Sequence, residues 1–243
     1  MDNKNRIYGA KLILEYIKSG GSVSKIWLNK SLNALTQEIE DLARKNKIPV
    51  NKLERKDLER ISDEYKGKSV IAEVSPIKLY DEKFLLSELG DQTYIFAVNI
   101  EDPQNLGAMI RSVQAFGANG LIISNRNTTT ITDAVIRASA GAVFNTKVIR
   151  VGNISNTLKN LKEANYWIYG TDVKSENSSR VSDTKFDKRS VILMGNEGKG
   201  LSPILKKQCD FMIHIPCKFN SLNVSVATGI ILSSFYLQNK IDD

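Results

Sequence analysis

Sulfur and imidazole are scarce in this chain: its 243 residues include two cysteines, Cys209 and Cys217, and one histidine, His214. Two thiols build neither a disulfide framework nor a four-ligand zinc site. One imidazole makes zinc catalysis and Ser-His or Cys-His nucleophilic triads poor readings, so His214 and Cys209 are read as structural. Sparse thiols also suit a reducing, cytoplasmic setting. Long hydrophobic runs are missing: stretches such as YIFAVNI and GLIIS fall far short of the roughly 18 residues that a membrane span needs. The opening MDNKNRIYGAKLILEYIKSG carries charge on both sides of a short apolar stretch and shows no small-residue cleavage site, so no secretory signal is expected.

What is present belongs to a globular chain. Apolar residues at 42% and charged residues at 25% exclude a disordered, collagenous or low-complexity protein. At roughly 100–200 residues per domain, the length suggests one large domain or two modest ones. The net charge of +7 and the pI near 9.2 favour a polyanionic partner. Residues 1–82 hold 16 basic and 13 acidic side chains, a net of +3, and residues 83–243 hold 18 and 14, a net of +4. The positive charge is therefore spread over both halves and not gathered in a tail.

Periodicity predicts a small α/β layer first: a helix at RIYGAKLILEYIKSG, a strand at SKIWL, a helix at LNALTQEIEDLARKN, a strand at IPVNKL, a short helix near KDLERISDEY and a strand at SVIAEV. The stretch PIKLYDEKFLLSELGDQ is polar, partly helical and poor in sheet signal. The expected division is thus an amino-terminal domain over 1–82, a linker over 83–92 and a second domain over 93–243. In the second domain Ile- and Val-rich strands alternate with amphipathic helices, which predicts a largely parallel sheet covered on both faces. Leu106, Met109, Ile110 and Val113 form one buried stripe of the helix after Asn105, and Arg111 points away from it. The last helix is expected from Ser221 to about Lys240, with Val224, Thr228, Ile231 and Phe235 as a stripe that serves either core or interface.

Open parallel sheets bind ligands beyond the carboxyl ends of their strands, which directs attention to three loops. They read EDPQNLGAMIRS after YIFAVNI, MGNEGKGLS after VIL, and IPCKFNSLNVSVATG after FMIH. The glycines of the second run G-x-x-G-x-G, the reverse of the dinucleotide fingerprint, and Leu201 stands where a P-loop lysine belongs. A nicotinamide dehydrogenase or a P-loop NTPase is therefore a poor reading.

In order and spacing the three segments resemble the signature motifs of the SpoU (TrmH) branch of the SPOUT RNA methyltransferases. The likeness covers about residues 94–240, and the first layer resembles the RNA-binding domain that many SpoU enzymes carry. The resemblance implies S-adenosylmethionine-dependent transfer of a methyl group to a ribose 2′-hydroxyl of ribosomal RNA, at a guanosine, by a homodimer whose carboxy-terminal domain holds a deep trefoil knot. A transfer-RNA methyltransferase, or a non-catalytic RNA-binding protein that keeps the fold, are the alternatives.

The resemblance also implies site residues. Asn105, Arg111, Glu197, Ser221 and Asn223 match the catalytic positions. Thr171, Gly195, Ile215 and Leu222 match the cofactor-binding positions, and no metal is expected. A guanidinium keeps its proton below pH of about 12, so Arg111 suits a charged clamp on phosphate and nucleophilic oxygen better than a general base. Asn105 and Ser221 each also read as helix caps, Ser225 as a residue that shares a helix face with Ser221, and Glu197 as an arginine partner. Between Ile-Pro and Ser-Leu-Asn only Cys217, Lys218, Phe219 and Asn220 intervene, fewer than the family commonly has.

Overall fold

The computed structural model describes residues 6–31, 33–61, 69–173, 177–196 and 198–239. The chain divides into two compact units, 1–77 and 78–243.

In the first unit, β1 (Arg6–Tyr8), α1 (Ala10–Lys18), β2 (Val23–Asn29), α2 (Ala34–Lys45), β3 (Val50–Leu53), α3 (Arg55–Ile61) and β4 (Val70–Val74) follow in order. The sheet order is β1-β4-β2-β3, antiparallel except for the β2–β3 pair. The period-2 pattern of β2 explains the covering layers: Ile26 and Leu28 are fully buried on one face, while Trp27 on the other packs with Tyr8, Ile71 and Leu58 of α3. The expected first helix begins later than its periodicity suggests. Residues Arg6–Tyr8 pair with β4, and Gly9 breaks the chain direction at a φ of 101° that a side chain would strain.

The second unit contains β5 (Leu79–Tyr80), α4 (Glu82–Ser87), β6 (Thr93–Ala97), α5 (Pro103–Ala115), β7 (Gly120–Ser124), α6 (Asp133–Ala138), a 3-10 turn (Ala142–Phe144), β8 (Lys147–Val151), α7 (Ile154–Glu163), β9 (Trp167–Thr171), β10 (Ser179–Arg180), β11 (Ser190–Met194), α8 (Pro203–Gln208), β12 (Phe211–His214) and α9 (Val224–Asn239). The division of the chain falls ahead of residue 82 because Leu79–Tyr80 already pairs with β8 and because α4 buries Leu85 in this unit's core.

Eight strands form one sheet in the order β10-β12-β9-β11-β6-β7-β8-β5, and every pair is parallel. Strands β6, β7 and β11 are buried at every residue, as strands covered on both faces must be. From β6 the chain winds outward through β7 and β8, and then crosses to the other side for β9, β11 and β12. The winding reverses between β6 and β11, and at such a switch point the flanking loops part and leave a crevice.

Candidate active site

The loop after β6 enters α5 earlier than the sequence suggests. Pro103 takes the first helical position, where its missing N–H costs nothing, and the Asp102 carboxylate caps the helix by accepting from Gln104 N at 3.0 Å. Asn105 is therefore not the cap: it lies in the first turn, half-buried. Its Oδ1 accepts from Asn223 Nδ2 at 2.9 Å, which joins the first and third motif segments. Arg111 is exposed on α5, while Leu106, Met109, Ile110 and Val113 are fully buried. At 1.5 Å rise and 100° per residue, Arg111 lies about 9 Å along the axis from Asn105 and about 120° around it.

The third segment is corrected in the same way. Helix α9 begins at Val224, so Ser221 precedes the helix and does not cap it. Asn223 is the cap: its Oδ1 accepts from Ser225 N at 3.0 Å and Val226 N at 3.4 Å, and from the Ser225 hydroxyl. Ser225 thus belongs to the cap and shares no helix face with Ser221. The same amide uses its oxygen on the helix and its nitrogen on Asn105. Val224, Thr228 and Ile231 are buried in the core, and half-buried Phe235 packs on Phe186 of the same unit, so the stripe on α9 serves as core. A different face exposes Val226, Ile230 and Leu237.

The glycine loop after β11 is closed by its own backbone. Gly200 N donates to Asn196 O at 2.8 Å, Gly198 N donates to Asn196 Oδ1 at 2.9 Å, and Asn196 Nδ2 donates to Asn99 O at 3.0 Å. Asn99, in the left-handed region at φ 57°, turns the loop after β6 toward this contact, so Asn196 and Asn99 bridge the switch point. Neither was apparent from the motifs; an asparagine among glycines is the only local signal of a side chain that completes a turn. Gly195 is held against the loop it opens: a Cβ there would lie 2.5 Å from Gly200 C and 2.6 Å from Leu201 N. Glu197 lies outside the described residues.

A cavity of about 810 Å³ opens at the carboxyl ends of β9, β11 and β12, within the size range of small-molecule sites. Its wall brings together Thr171, Gly195, Ile215 and Leu222, and Ser221 stands at the same wall. Among the described residues the wall does not include Asn105, Arg111 or Asn223. Thr171 uses its hydroxyl to donate to Leu193 O at 2.8 Å, which fixes the end of β9 against β11. Asp172 and Lys206, also in the wall, form an ion pair at 2.6 Å. His214, read as structural, lines the cavity too, with Nδ1 2.9 Å from Ser178 Oγ. Burial pushes the thiol of Cys209 up to about 11; it stays protonated at neutral pH and has no nucleophilic role.

The wall suits S-adenosylmethionine. Met194, Ile215, Leu222 and Ile231 supply apolar surface for a flat purine, the glycine loop offers backbone in place of side chains, and charged groups stand at Asp172, Arg180 and Lys206 for a zwitterionic tail.

Residues 92–233 match the SpoU rRNA methylase family, and residues 6–80 match the RNA 2′-O ribose methyltransferase substrate-binding domain. The chain belongs to the SpoU family. As a member it is an RNA 2′-O-methyltransferase that takes S-adenosylmethionine as its methyl donor. Among curated relatives, the TrmH family tRNA/rRNA methyltransferase YacO of Bacillus subtilis is 32% identical over 238 residues, 95% of this chain and 94% of the relative. A tRNA/rRNA methyltransferase of Archaeoglobus fulgidus is 37% identical over 216 residues, 87% of this chain and 90% of the relative. The fold is that of the SpoU methyltransferase AviRb from Streptomyces viridochromogenes, with a TM-score of 0.80 at 24% identity over 97% of this chain and 89% of that one. AviRb with AdoMet bound gives a TM-score of 0.79 at 23% identity, covering 97% and 90%.

Proposed function

We propose that this SpoU enzyme methylates the 2′-hydroxyl of a guanosine in ribosomal RNA, in the cytoplasm and as a homodimer. The observation that carries the reading is the convergence of the three motif loops at one edge of the parallel sheet, two of them joined by the 2.9 Å bond between Asn105 and Asn223. The cofactor contacts are assigned to Thr171, Gly195, Ile215 and Leu222, and the catalytic group to Asn105, Arg111, Glu197, Ser221 and Asn223. The amino-terminal unit positions the RNA, and the second unit carries the reaction. The carboxy-terminal segment is assigned the deep trefoil knot of the family.

When bound, S-adenosylmethionine supplies an electrophilic methyl group on a sulfonium. Arg111 keeps its charge, holds the phosphate beside the target ribose and stabilises the negative charge that develops on the 2′-oxygen. The proton leaves to phosphate or water, since the guanidinium does not accept it. Asn105 and Asn223 hold each other in one orientation beside the ribose. The exposed Val226, Ile230 and Leu237 lie within about 40° of one another around α9, an apolar stripe suited to a second copy of the chain.

Mapping of 2′-O-methyl sites in RNA from cells with and without the protein tests the proposal. A single guanosine site in ribosomal RNA that disappears with the protein is the expected result. A lost site in transfer RNA would move the substrate, and no lost site would overturn the reading.

A further inference from the structure

Beyond the glycine loop lies a second cavity, of about 700 Å³, that the steps above do not use. Its floor is the carboxyl ends of β6, β7 and β8, and its sides are the first turns of α7 and α8. The wall presents four asparagines, three serines and Arg126, and among the described residues it holds no carboxylate. Several of the polar groups build the wall itself. Asn153 Oδ1 accepts from Asn156 N at 3.0 Å, and the Ser124 hydroxyl donates to Arg126 O at 2.6 Å. Thr129 N donates to Ile100 O at 2.9 Å and fastens the loop after β7 to the loop after β6. On this frame Asn125, Arg126 and Asn127 stand exposed, and Ile204, which is 68% exposed, lines the same cavity.

The combination selects a ligand. Side-chain amides match the donor and acceptor edges of a base, a guanidinium matches a phosphate, and an exposed aliphatic side chain offers a face for a ring to pack on. The start of α7, ten residues long, adds positive potential, and among the described residues the wall sets no carboxylate against an anion. The two cavities share a partition. Gly195, Gly198 and Gly200 line the first, Ser202, Ile204 and Leu205 line the second, and Asn196 ties the partition to Asn99. We propose that the second cavity holds a nucleotide flanking the methylated one in the same RNA strand, its base edge read by Asn125 and Asn127 and its phosphate held by Arg126. The proposal rests on the methyl-transfer reading and adds to it a determinant of site choice outside the three motifs.

The test compares Arg126→Ala and Asn127→Gly with the wild-type full chain; glycine keeps the left-handed backbone at φ 54° and removes only the amide. Methyl transfer is measured against total RNA from cells that lack the protein. Binding is measured with a fluorescent single-stranded oligoribonucleotide of mixed sequence across a salt series. The expected result is a KM for RNA raised roughly fivefold or more in both variants, with AdoMet affinity and melting temperature unchanged. For Arg126→Ala the slope of log affinity against log salt falls by about 0.7, the loss of one phosphate contact to a single strand. Wild-type values of both KM and slope would overturn the proposal. If the wild type itself transfers no methyl to RNA, the reaction reading fails, and the oligoribonucleotide slope then decides on the cavity alone.

Discussion

Replacing Gly195 by alanine tests whether the glycine loop is the wall of the cofactor cavity. The new Cβ would stand 2.5 Å from Gly200 C, 2.6 Å from Leu201 N and 2.9 Å from Gly200 O, whereas carbon atoms sit comfortably at about 3.5 Å. The strand or the loop must therefore retreat by about 1 Å. The loop cannot do so freely, since Gly200 N is bonded to Asn196 O at 2.8 Å and Leu201 is 2% exposed. Overpacking of this kind costs about 1–3 kcal/mol, which at about 1.4 kcal/mol per decade weakens AdoMet binding roughly 5- to 140-fold if the loop yields into the cavity. If instead the fold absorbs the strain, the melting temperature falls by about 2–4 °C per kcal/mol. Calorimetric titration with AdoMet and thermal unfolding read the two outcomes. Gly198→Ala is the control for the melting temperature, because its nearest neighbour, Asn196 Oδ1, lies at an ordinary 3.6 Å. A Gly195→Ala protein with wild-type affinity and wild-type melting temperature would refute the reasoning.

Arg111→Ala is expected to lower turnover by roughly 10²–10³ while AdoMet affinity stays near wild type; an equal loss of cofactor binding would remove Arg111 from the catalytic role. Asn223→Ala removes both the cap of α9 and the bond to Asn105, and costs about 1 kcal/mol of stability. Asn223→Asp retains the cap acceptor but not the donor, so melting should recover where turnover does not; joint recovery would confine Asn223 to capping. At pH 8, iodoacetamide should modify exposed Cys217 and spare Cys209 in the folded protein. Burial holds the Cys209 thiol at about 11, above its unfolded value of about 8.5, so its contribution to stability is complete below that value and is lost as pH rises through about 11. Equal labelling of the two thiols at pH 8 would contradict the burial.

The strands and helices of the second unit were legible because each repeats its period several times: β7 is continuous apolar sequence and α5 has a stripe four residues deep. The ends were less legible. Pro103 and Asp102 start α5 ahead of Asn105, and both Ser221 and Asn223 are good capping residues, so propensity alone does not choose between them. Tertiary contact chooses, through an asparagine 118 residues away. The four cofactor positions came from resemblance, and the structure gathers them in one wall; Arg111, Asn105 and Asn223 stand outside it. The bridge from Asn196 to Asn99 was hidden for a physical reason. It depends on β6 and β11 being neighbours, and strand order is a property of the whole sheet that no local pattern records.

The placement of Arg111 follows from how α5 is held. On one side the helix presses against the end of α6 at Gly107, where a Cβ would lie 2.4 Å from Ala138 Cβ, 2.8 Å from Ser139 N and 2.8 Å from Val135 O. The α6 end is itself a tight turn, with Ala140 at φ 51° and Gly141 at φ 88°. On the other side α5 packs along α9, and Asn105 is bonded to the residue that caps α9. Helix α5 is thus seated by a glycine contact two residues beyond Asn105 and by an amide pair at Asn105 itself, both within the first two turns. A displacement of about 1 Å at a positioning group can cost a reaction about 10²-fold. Gly107→Ala, which no substrate need touch, is therefore expected to lower turnover through the position of α5 with AdoMet affinity retained, because the cofactor wall draws nothing from that helix. Retained turnover together with a wild-type melting temperature would show that α5 tolerates the shift and that Arg111 reaches its target from either position.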